Sequence, residues 1–314
     1  MMNDVHLHMA RLRAKFIRHR AYVEFQEQFD ILLHRRRAAM AVGASFEAEG
    51  IVLTGASGSG KTTAVDQAVT KHPDLVQPRV GQEVAEIIRL QVPSPATLKT
   101  VGSTMSEALG YELVRDKSAA LIWQHVRKLL HARQTLFVHF DEAQDIYLSK
   151  GAHGRNEVVN TLKSLMNNKD WPVGLILSGT PDLLDIINLD RQLQRRVRLI
   201  HLDAVSWLSH RGDVTDFVMK FAAASGLSLA VDLKDDMFSK RLIHAGGNQF
   251  GLIIDMILCG IETCLLDDGN MLTVAHFADA FRRKTACLPA LNPFLAEDFL
   301  RIDVGRVCGG AMTP

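Results

Sequence analysis

The residues with the clearest chemistry form a glycine-rich loop, residues 55–62, which reads G-x-x-x-x-G-K-T. The loop follows the apolar run 51–53 and precedes the helix-forming stretch 63–69, the strand–loop–helix setting in which this motif binds phosphate. Glycines let backbone N–H groups wrap phosphate oxygens, and the N-terminus of the following helix adds partial positive charge. A glycine-rich turn that carries a lysine by chance is the alternative, which the flanking patterns disfavour. We therefore predict a binding site for a nucleoside triphosphate.

Two side chains of this loop have expected roles of their own. We expect Lys61 to reach the β- and γ-phosphates and the hydroxyl of Thr62 to bind Mg²⁺. The residues expected to hold the nucleotide are Gly55, Ala56, Ser57, Gly58, Ser59, Gly60, Lys61, Thr62 and Thr63.

A second apolar run, residues 136–142, ends in the acid pair Asp141 and Glu142 and has the pattern of a Walker B strand. We expect Asp141 to hold Mg²⁺, partly through water, and Glu142 to orient and deprotonate the attacking water as general base. The presence of both acids favours hydrolysis over phosphate transfer to a small molecule. His139, in the same strand, is interpreted as a structural rather than a catalytic histidine.

The run 173–180 ends in Ser178, Gly179 and Thr180. Because ligands of parallel sheets bind beyond the carboxyl ends of the strands, we expect a polar side chain here to face the γ-phosphate or its attacking water. Ser178 is the first choice and Thr180 the second. The alternative is a polar strand end followed by a helix N-cap, for which Thr180 before Pro181 is well suited.

Several arginines precede the last predicted strand, within residues 190–197. An arginine given to the γ-phosphate of a neighbouring subunit stabilises charge in the transition state and makes hydrolysis depend on assembly. Arg196 is the preferred candidate and Arg195 the second. A solvated basic face is the alternative.

Strand patterns alternate with helix patterns as far as residue 202, which predicts a mostly parallel sheet with helices on both faces. Beyond residue 206 the patterns predict helices alone, near 206–224, 232–245, 248–266 and 273–285. The fold class expected is thus α/β, with a smaller all-α lid after the nucleotide-binding domain. The expected divisions are a basic helical segment at 1–45, the α/β domain at 46–204, the lid at 205–287 and a tail at 288–314.

Residues 8–40 are predicted to form one helix, with Phe25, Phe29 and the pair Leu32 and Leu33 on one face. This segment is rich in arginine, which indicates either a solvated helix face or a contact with nucleic acid or a neighbouring subunit.

Composition narrows the functional classes. The 314 residues are 47% hydrophobic and 23% charged with a net charge of +1, which excludes binding of nucleic acid through bulk charge alone. The four cysteines lack the spacing of a zinc site, so reduced thiols in a cytoplasmic protein are expected. The apolar stretch 250–266 is broken by Asp255 and Glu262 and is interpreted as a buried helix. We expect no membrane partner.

The order of these motifs, with a helical lid behind them, resembles the AAA+ ATPase superfamily and, within it, the TniB/TnsC family of transposition regulators. The Walker motifs specify the superfamily alone, whereas the remaining motifs are more specific as a set. The stretches that carry the resemblance are 16–22, 92–97, 108–110, 140–144, 177–181, 192–197 and 292–295.

This resemblance implies an ATPase that uses ATP and Mg²⁺, binds duplex DNA as a ring or helical oligomer of itself, and links a TniQ-like target-selection factor to a DDE transposase. ATP rather than GTP agrees with the lack of a guanine-reading N-K-x-D motif. DNA contacts are implied for residues 97–103, which come after the second predicted strand, residues 86–92. Lys99 and Thr100 are the first candidates, followed by Thr97 and Ser103, and an ordinary exposed helix start is the alternative.

One position departs from the superfamily pattern. Many AAA+ proteins carry a sensing arginine three residues after a lid glycine, and here Phe250 follows Gly247 at that spacing. We therefore expect nucleotide sensing to depend on the inter-subunit arginines, with slow turnover and ATP acting mainly as an assembly switch. The functions left as alternatives are a signalling switch of the STAND type without DNA binding and a helicase loader or replication initiator.

Overall fold

Five parallel strands form the main sheet of the computed structural model, which describes residues 2–77, 83–94, 96–113, 115, 117–148 and 152–307. Their spatial order is β2-β3-β4-β1-β5. Every residue of the first and fourth strands is buried, as expected for parallel strands covered on both faces. The predicted α/β fold is confirmed. The strands are β1 (Gly50–Gly55), β2 (Ile87–Gln91), β3 (Phe137–Asp141), β4 (Gly174–Gly179) and β5 (Val197–Leu202).

Helices connect these strands, as the sequence pattern predicts. Their apolar faces pack on the sheet, and Val101, Met105, Ile122 and Val126 are at most 1% exposed. The connecting helices are α3 (Lys61–Thr70), α4 (Leu98–Ala108), α5 (Ala119–Ala132), α6 (Asp145–Leu148), α7 (Ala152–Met166), α8 (Leu183–Asn188) and α9 (Arg191–Gln194).

The strand register fixes which residues share an edge of the sheet. β1 pairs with β5 from Gly50 opposite Val197 to Gly55 opposite Leu202. On its other side β1 pairs in parallel with β4, and β4 pairs in parallel with β3. The residues that follow β1, β3 and β4 therefore meet at the carboxyl-terminal end of the parallel strands. Arg196, just before β5, lies at the amino-terminal end.

The N-terminal region is two helices, so the prediction of one helix over residues 8–40 is wrong. α1 is Met2–Arg13 and α2 is Arg20–Ala41. His19 caps α2, since its Nδ1 accepts a hydrogen bond of 3.2 Å from the backbone N of Tyr22. Within α2 the predicted apolar face is buried, and Phe29 packs edge-on against Phe137 of β3 at 5.1 Å between ring centroids.

Three arginines of the basic N-terminal segment form ion pairs inside the chain. Arg37 pairs with Glu86 at 2.7 Å and Arg35 with Glu49 at 3.1 Å. Arg13 of α1 pairs with Glu262 at 2.7 Å. These contacts favour a structural role for these three arginines.

The chain forms two compact units. The sheet unit takes Arg18–Ala56 and Lys61–Leu202, and the helical unit takes Met1–Ile17, Ser57–Gly60 and Asp203–Pro314. Besides α1, the helical unit contains α10 (Trp207–Ala224), α11 (Asp236–Ala245), α12 (Phe250–Leu266) and α13 (Val274–Thr285).

The helical unit is not purely helical. Two-residue strands, β6 (Ser228–Leu229) and β7 (Met271–Leu272), pair in parallel, so the expectation of a lid without strands is wrong in this detail. Short single-turn 3₁₀ helices occupy Val231–Lys234, Pro289–Leu291 and Phe299–Arg301.

The segment after α13 docks on the helical unit. Asn292 is 1% exposed and donates a hydrogen bond of 2.8 Å to the carbonyl of Ala278, while the ring of Phe294 lies 5.6 Å from that of Phe277. Of the two partners expected for residues 292–295, the lid or another protein, the lid provides these contacts. The predicted disordered end, residues 308–314, lies outside the described residues.

No single helix among the described residues combines the length and apolarity needed to cross a bilayer; α11 and α12 pass that test only as a pair, bent by 112°. Cys259, Cys264 and Cys287 are free thiols, and Cys308 lies outside the described residues.

Candidate functional site

The glycine-rich loop adopts a backbone that only glycine adopts without strain. Gly58 and Gly60 have φ of +77° and +98°, in the region that a Cβ disfavours. The ammonium of Lys61 donates to the carbonyls of Gly55 at 2.8 Å and Ala56 at 3.0 Å. Burial lowers the pKa of Lys61, and the charges of Glu142 and Asp141 oppose that shift. The lysine is thus held inside the loop that it closes.

The carboxylate of Asp141 receives two hydrogen bonds from neighbouring elements. Thr62 at the start of α3 donates to Oδ2 at 2.8 Å, and Ser178 of β4 donates to Oδ1 at 2.6 Å. The two residues predicted to hold Mg²⁺, Thr62 and Asp141, are therefore in direct contact. Both offer oxygen atoms, the ligand type that this ion prefers, so the donor set fits the ion.

His139 extends this network into the core. Its Nε2 lies 2.7 Å from Oγ of Ser178, and both side chains are at most 2% exposed. Because the single hydroxyl proton of Ser178 goes to Asp141, His139 donates through Nε2 and is the Nε2–H tautomer. Burial lowers the pKa of His139 to about 4, against the opposing charge of Asp141. His139 is therefore a neutral histidine that supports Ser178, in agreement with its structural interpretation.

Glu142 has a left-handed backbone, with φ of +53°, which costs a non-glycine residue about 1–2 kcal/mol. The next backbone N–H, that of Ala143, donates to the carbonyl of Ser178 at 2.9 Å. This bond ties the turn after β3 to the end of β4 and offsets the unfavourable conformation. The predicted general base thus lies beside the network formed by Asp141 and Ser178.

Gln144 completes the site, and the sequence analysis did not assign it a role. Its Nε2 donates to Oε2 of Glu142 at 2.7 Å, and its Oε1 accepts from the backbone N of Thr180 at 3.1 Å. The side chain is 6% exposed. The sequence does hold a signal for Gln144. It is two residues after Glu142, in the loop that follows a strand, where residues of the site are expected.

Thr180 uses its hydroxyl locally. Its Oγ1 donates to Asp182 at 2.9 Å, and its carbonyl accepts from the backbone N of Leu183 at the start of α8. These contacts agree with the helix-start alternative for Thr180. Ser178 in turn is fully buried against Asp141.

The two candidate arginines lie at the amino-terminal end of the parallel strands. Arg196 bonds Asn167 and pairs with Glu47 at 3.4 Å. Arg195, at the C-terminal end of α9, is exposed, and its guanidinium has no partner among the described residues. Because β1 is six residues long and a parallel strand rises about 3.3 Å per residue, this end of the sheet is about 17 Å from the loop along the strand.

A cleft of about 760 Å³ opens beside Arg196. Arg36 lines it and is 6% exposed. Its guanidinium lies 5.0 Å from the ring centroids of both Phe46 and Trp171, and cation–π contacts of this kind are favourable by about 0.5–2 kcal/mol. The stacking holds Arg36 against Trp171, and Asn167, which also lines the cleft, accepts the hydrogen bond from Arg196.

The candidate DNA residues form the start of α4. Thr97 and Thr100 make a reciprocal capping box, in which each hydroxyl bonds the backbone N of the other at 2.8 and 3.0 Å. Ser103 donates to the carbonyl of Lys99 at 3.0 Å, and the side chain of Lys99 is exposed. The cap accounts for both threonines as helix-start residues, and Lys99 adds a positive charge to this surface.

Phe250 occupies the first position of α12, where many AAA+ proteins are expected to carry the sensing arginine. Its ring packs edge-on against that of Phe217 at 5.6 Å. The residue is therefore part of the apolar packing of the helical unit.

The geometry fits a nucleoside triphosphate with Mg²⁺. Glycines at positive φ open the loop, a lysine closes it, and two oxygen donors meet at its helix. The described residues contain no cluster of three or more histidine, cysteine, aspartate or glutamate side chains that could hold a metal ion by themselves.

Comparison with solved structures identifies the fold. The chain is similar to the Orc1 protein of Aeropyrum pernix in complex with DNA, with 15% identity and a TM-score of 0.59 over 82% of this chain and 64% of that one. It is similar to Cdc6p of Pyrobaculum aerophilum, with 13% identity and a TM-score of 0.62 over 85% and 68%. It is also similar to the ORC2 protein of A. pernix in its ADPNP-ADP complexes, with 14% identity and a TM-score of 0.57 over 86% of this chain and 70% of that one.

These proteins share the AAA+ fold with this chain, which spans only 64% of the length of the Orc1 chain. No curated protein matches the sequence significantly. The model of the family described as bacterial TniB protein matches residues 13–207. That match takes in the whole of the five-stranded sheet and more than half of the sequence. The protein is therefore a member of the bacterial TniB family, built on an AAA+ ATPase fold.

Proposed function

We propose that this protein is an ATP-hydrolysing regulator of DNA transposition. In its ATP-bound form it assembles on duplex DNA and links a TniQ-like target-selection factor to a DDE transposase, and hydrolysis releases the assembly. Membership of the TniB family supports a role in DNA transposition, and the Walker residues support hydrolysis of ATP.

One observation carries the dependence on assembly. Arg195 and Arg196 precede β5, whereas the phosphate loop follows β1. Because β1 and β5 are parallel neighbours, the arginines and the loop lie at opposite ends of these strands. An arginine side chain is much shorter than the roughly 17 Å length of the strand and cannot span it. An arginine here can thus reach only a nucleotide bound by another subunit, and hydrolysis requires a neighbour.

The contacts favour Arg195 over Arg196 as the arginine donated in trans. Arg196 is held by Asn167 and Glu47 of its own chain, whereas Arg195 is exposed. Arg196 then supports the segment from which Arg195 projects.

Within one subunit, Lys61 binds the phosphates of ATP and Glu142 takes the proton of the attacking water. Thr62 and Asp141 hold Mg²⁺, which when bound neutralises phosphate charge. Ser178 and His139 keep the carboxylate of Asp141 oriented. The ammonium of Lys61, which donates to the carbonyls of Gly55 and Ala56, turns to the phosphates when ATP binds.

DNA binding is assigned to the start of α4, where Lys99 adds a charge to the N-terminal end of a helix. The Orc1 structure contains DNA, and we extend this property to the present chain as part of the proposal. The same likeness favours one second candidate, an initiator-type ATPase that also acts on DNA but has no transposase partner.

Electron microscopy of the protein with linear duplex DNA tests this function. Comparison of ATP, a non-hydrolysable analogue and ADP should give rings or filaments with the two triphosphates and none with ADP. Addition of purified DDE transposase should then give co-sedimentation with the filaments. Absence of DNA-dependent assembly in every nucleotide state would overturn the proposal, and assembly that never retains transposase would favour the initiator-type function.

A further inference from the structure

The side chain of Gln144 joins two strand ends that carry the predicted chemistry. Its Nε2 donates to Oε2 of Glu142 at 2.7 Å and to Oδ1 of Asp145 at 3.3 Å. Its Oε1 accepts from the backbone N of Thr180 at 3.1 Å. A primary amide offers a donor and an acceptor on one planar group, so it can bind a carboxylate on β3 and a backbone N–H after β4 at once.

Gly179 makes room for this amide. A Cβ built at Gly179 would lie 2.1 Å from Oε1 of Gln144, far inside contact distance, while the next nearest atoms, Cδ of Gln144 and N of Ala143, are 3.3 and 3.5 Å away. The φ of Gly179 is not positive, so conformation does not demand glycine here. A side chain at this position would instead displace the amide of Gln144.

The backbone of Glu142 is tied to the same strand end. The N–H of Ala143 donates to the carbonyl of Ser178 at 2.9 Å. Both the main chain and the carboxylate of Glu142 are thus fixed relative to β4, the first through Ser178 and the second through Gln144 and Thr180. Among the described residues Oε1 of Glu142 has no hydrogen-bond partner, which leaves that oxygen for a water.

We propose that Gln144 is a positioning residue for Glu142, which orients the carboxylate of the general base and makes its position depend on the end of β4. The inference rests on the proposed function, because it requires Glu142 to act as the base. A displacement of Thr180 moves the acceptor end of the amide and, through it, the carboxylate. Hydrolysis thereby responds to the strand that also holds Asp141 through Ser178.

A double-mutant cycle tests this geometry, with Gln144→Ala, Gly179→Ala and the combination in the full chain on duplex DNA. Gln144→Ala should lower kcat about 10- to 100-fold, since a small displacement of a catalytic group has effects of that size. Gly179→Ala should lower kcat because its methyl group displaces the amide. The combination should match Gln144→Ala alone, since the methyl group then meets no side chain.

The affinity for a fluorescent ATP analogue separates positioning from a general structural effect. It should stay within about twofold for all three variants. Gln77→Ala is the matched control, because Gln77 also donates through its amide, to the carbonyl of Val69 at 2.6 Å, outside the site. Its kcat should equal that of the wild type.

Glu142→Gln separates this inference from the proposed function. If Glu142→Gln leaves kcat unchanged, the general-base assignment fails and the role of Gln144 fails with it. If Glu142→Gln abolishes turnover but Gln144→Ala has the kcat of wild type, only the present inference is wrong. Multiplicative effects of Gln144→Ala and Gly179→Ala, or equal losses of kcat and of nucleotide affinity, would also overturn it.

Discussion

Ser178 of β4 donates a hydrogen bond of 2.6 Å to Oδ1 of Asp141 on the neighbouring strand β3. Thr62 donates to the other oxygen of that carboxylate at 2.8 Å. The orientation of Asp141 is therefore set from two sides, by the strand next to it and by the helix after the phosphate loop.

Replacement of Ser178 by alanine should weaken the site through Asp141. The change leaves Oδ1 of Asp141 and Nε2 of His139 without their partner in a buried position, which costs about 1–3 kcal/mol of unfolding free energy. Chemical denaturation measures that loss, and titration of hydrolysis with Mg²⁺ should show a requirement for more metal. Ser225→Ala, which removes only a bond to the carbonyl of Phe221 at a helix end, is the control. Equal effects of the two variants would contradict the role of Ser178.

Arg195→Ala and Arg196→Ala should have different effects. Loss of Arg195 should reduce DNA-stimulated hydrolysis about 10³-fold, the size typical of a donated arginine, with thermal stability unchanged. Loss of Arg196 frees Asn167 and Glu47 and should lower stability, with a smaller loss of hydrolysis. Steady-state hydrolysis and thermal unfolding of both variants provide the comparison. The opposite ranking would assign the donated arginine to Arg196.

Asp190 should support Arg195 through the short helix α9. Its Oδ1 accepts from the backbone N atoms of Gln192 and Leu193 at 2.8 and 3.0 Å, and Lys163 bonds its other oxygen at 2.8 Å. Asp190→Ala removes this cap at a cost of about 1 kcal/mol. Assembly-dependent hydrolysis should fall, whereas nucleotide binding by the isolated subunit should not.

The charge of Asp190 also predicts a pH dependence of stability. The hydrogen bond from Lys163, the largest cause, lowers the pKa of Asp190 in the folded protein. A lowered folded pKa stabilises the fold above the unfolded pKa of about 3.9, and that stabilisation is lost as the pH falls through the folded pKa. Asp190→Asn keeps an acceptor for the cap but does not ionise. Its unfolding free energy should therefore fall less than that of the wild type below about pH 4. If the unfolding free energies of both proteins fell equally in this pH range, Asp190 would not be the group responsible.

Lys99→Ala should weaken binding to duplex DNA without a preference for sequence. Removal of one phosphate contact lowers the slope of log K against log salt by about one. Fluorescence anisotropy at several salt concentrations, in the presence of a non-hydrolysable analogue, measures that slope. Lys220→Ala, which removes an exposed lysine of α10, is the matched control, and an unchanged slope for Lys99→Ala would exclude this contact.

The sheet was predictable because its strands are buried on both faces. β1 and β4 are apolar runs with glycine at each end, and β5 falls on the predicted residues 197–202. Helices α10 to α13 also lie where the apolar periodicity predicts them. Two features were missed for a common reason, which is that tertiary contacts decide them. α1 and α2 are separate helices, with Arg13 of α1 paired to Glu262, and β6 and β7 are too short to show a period.

The site was predictable in residue type and less so in contacts. A serine at the end of β4 signals a polar group near the nucleotide, but the sequence does not reveal that its hydroxyl faces Asp141 with His139 behind it. The role of Gln144 depends on Gly179 and on the backbone of Thr180, which belong to another strand end. Such convergence follows from the strand register, which a single sequence does not encode locally.

Completion of each active site by a neighbouring subunit is tested most directly by a mixing experiment. Glu142→Gln lacks the general base but keeps the phosphate loop and its arginines, and the double variant Arg195→Ala/Arg196→Ala has the reverse defect. Each should be inactive alone on duplex DNA. The mixture should recover a substantial fraction of wild-type hydrolysis, because the first variant donates arginine to the loop of the second. A mixture as inactive as its two components, while both still assemble on DNA, would contradict the claim.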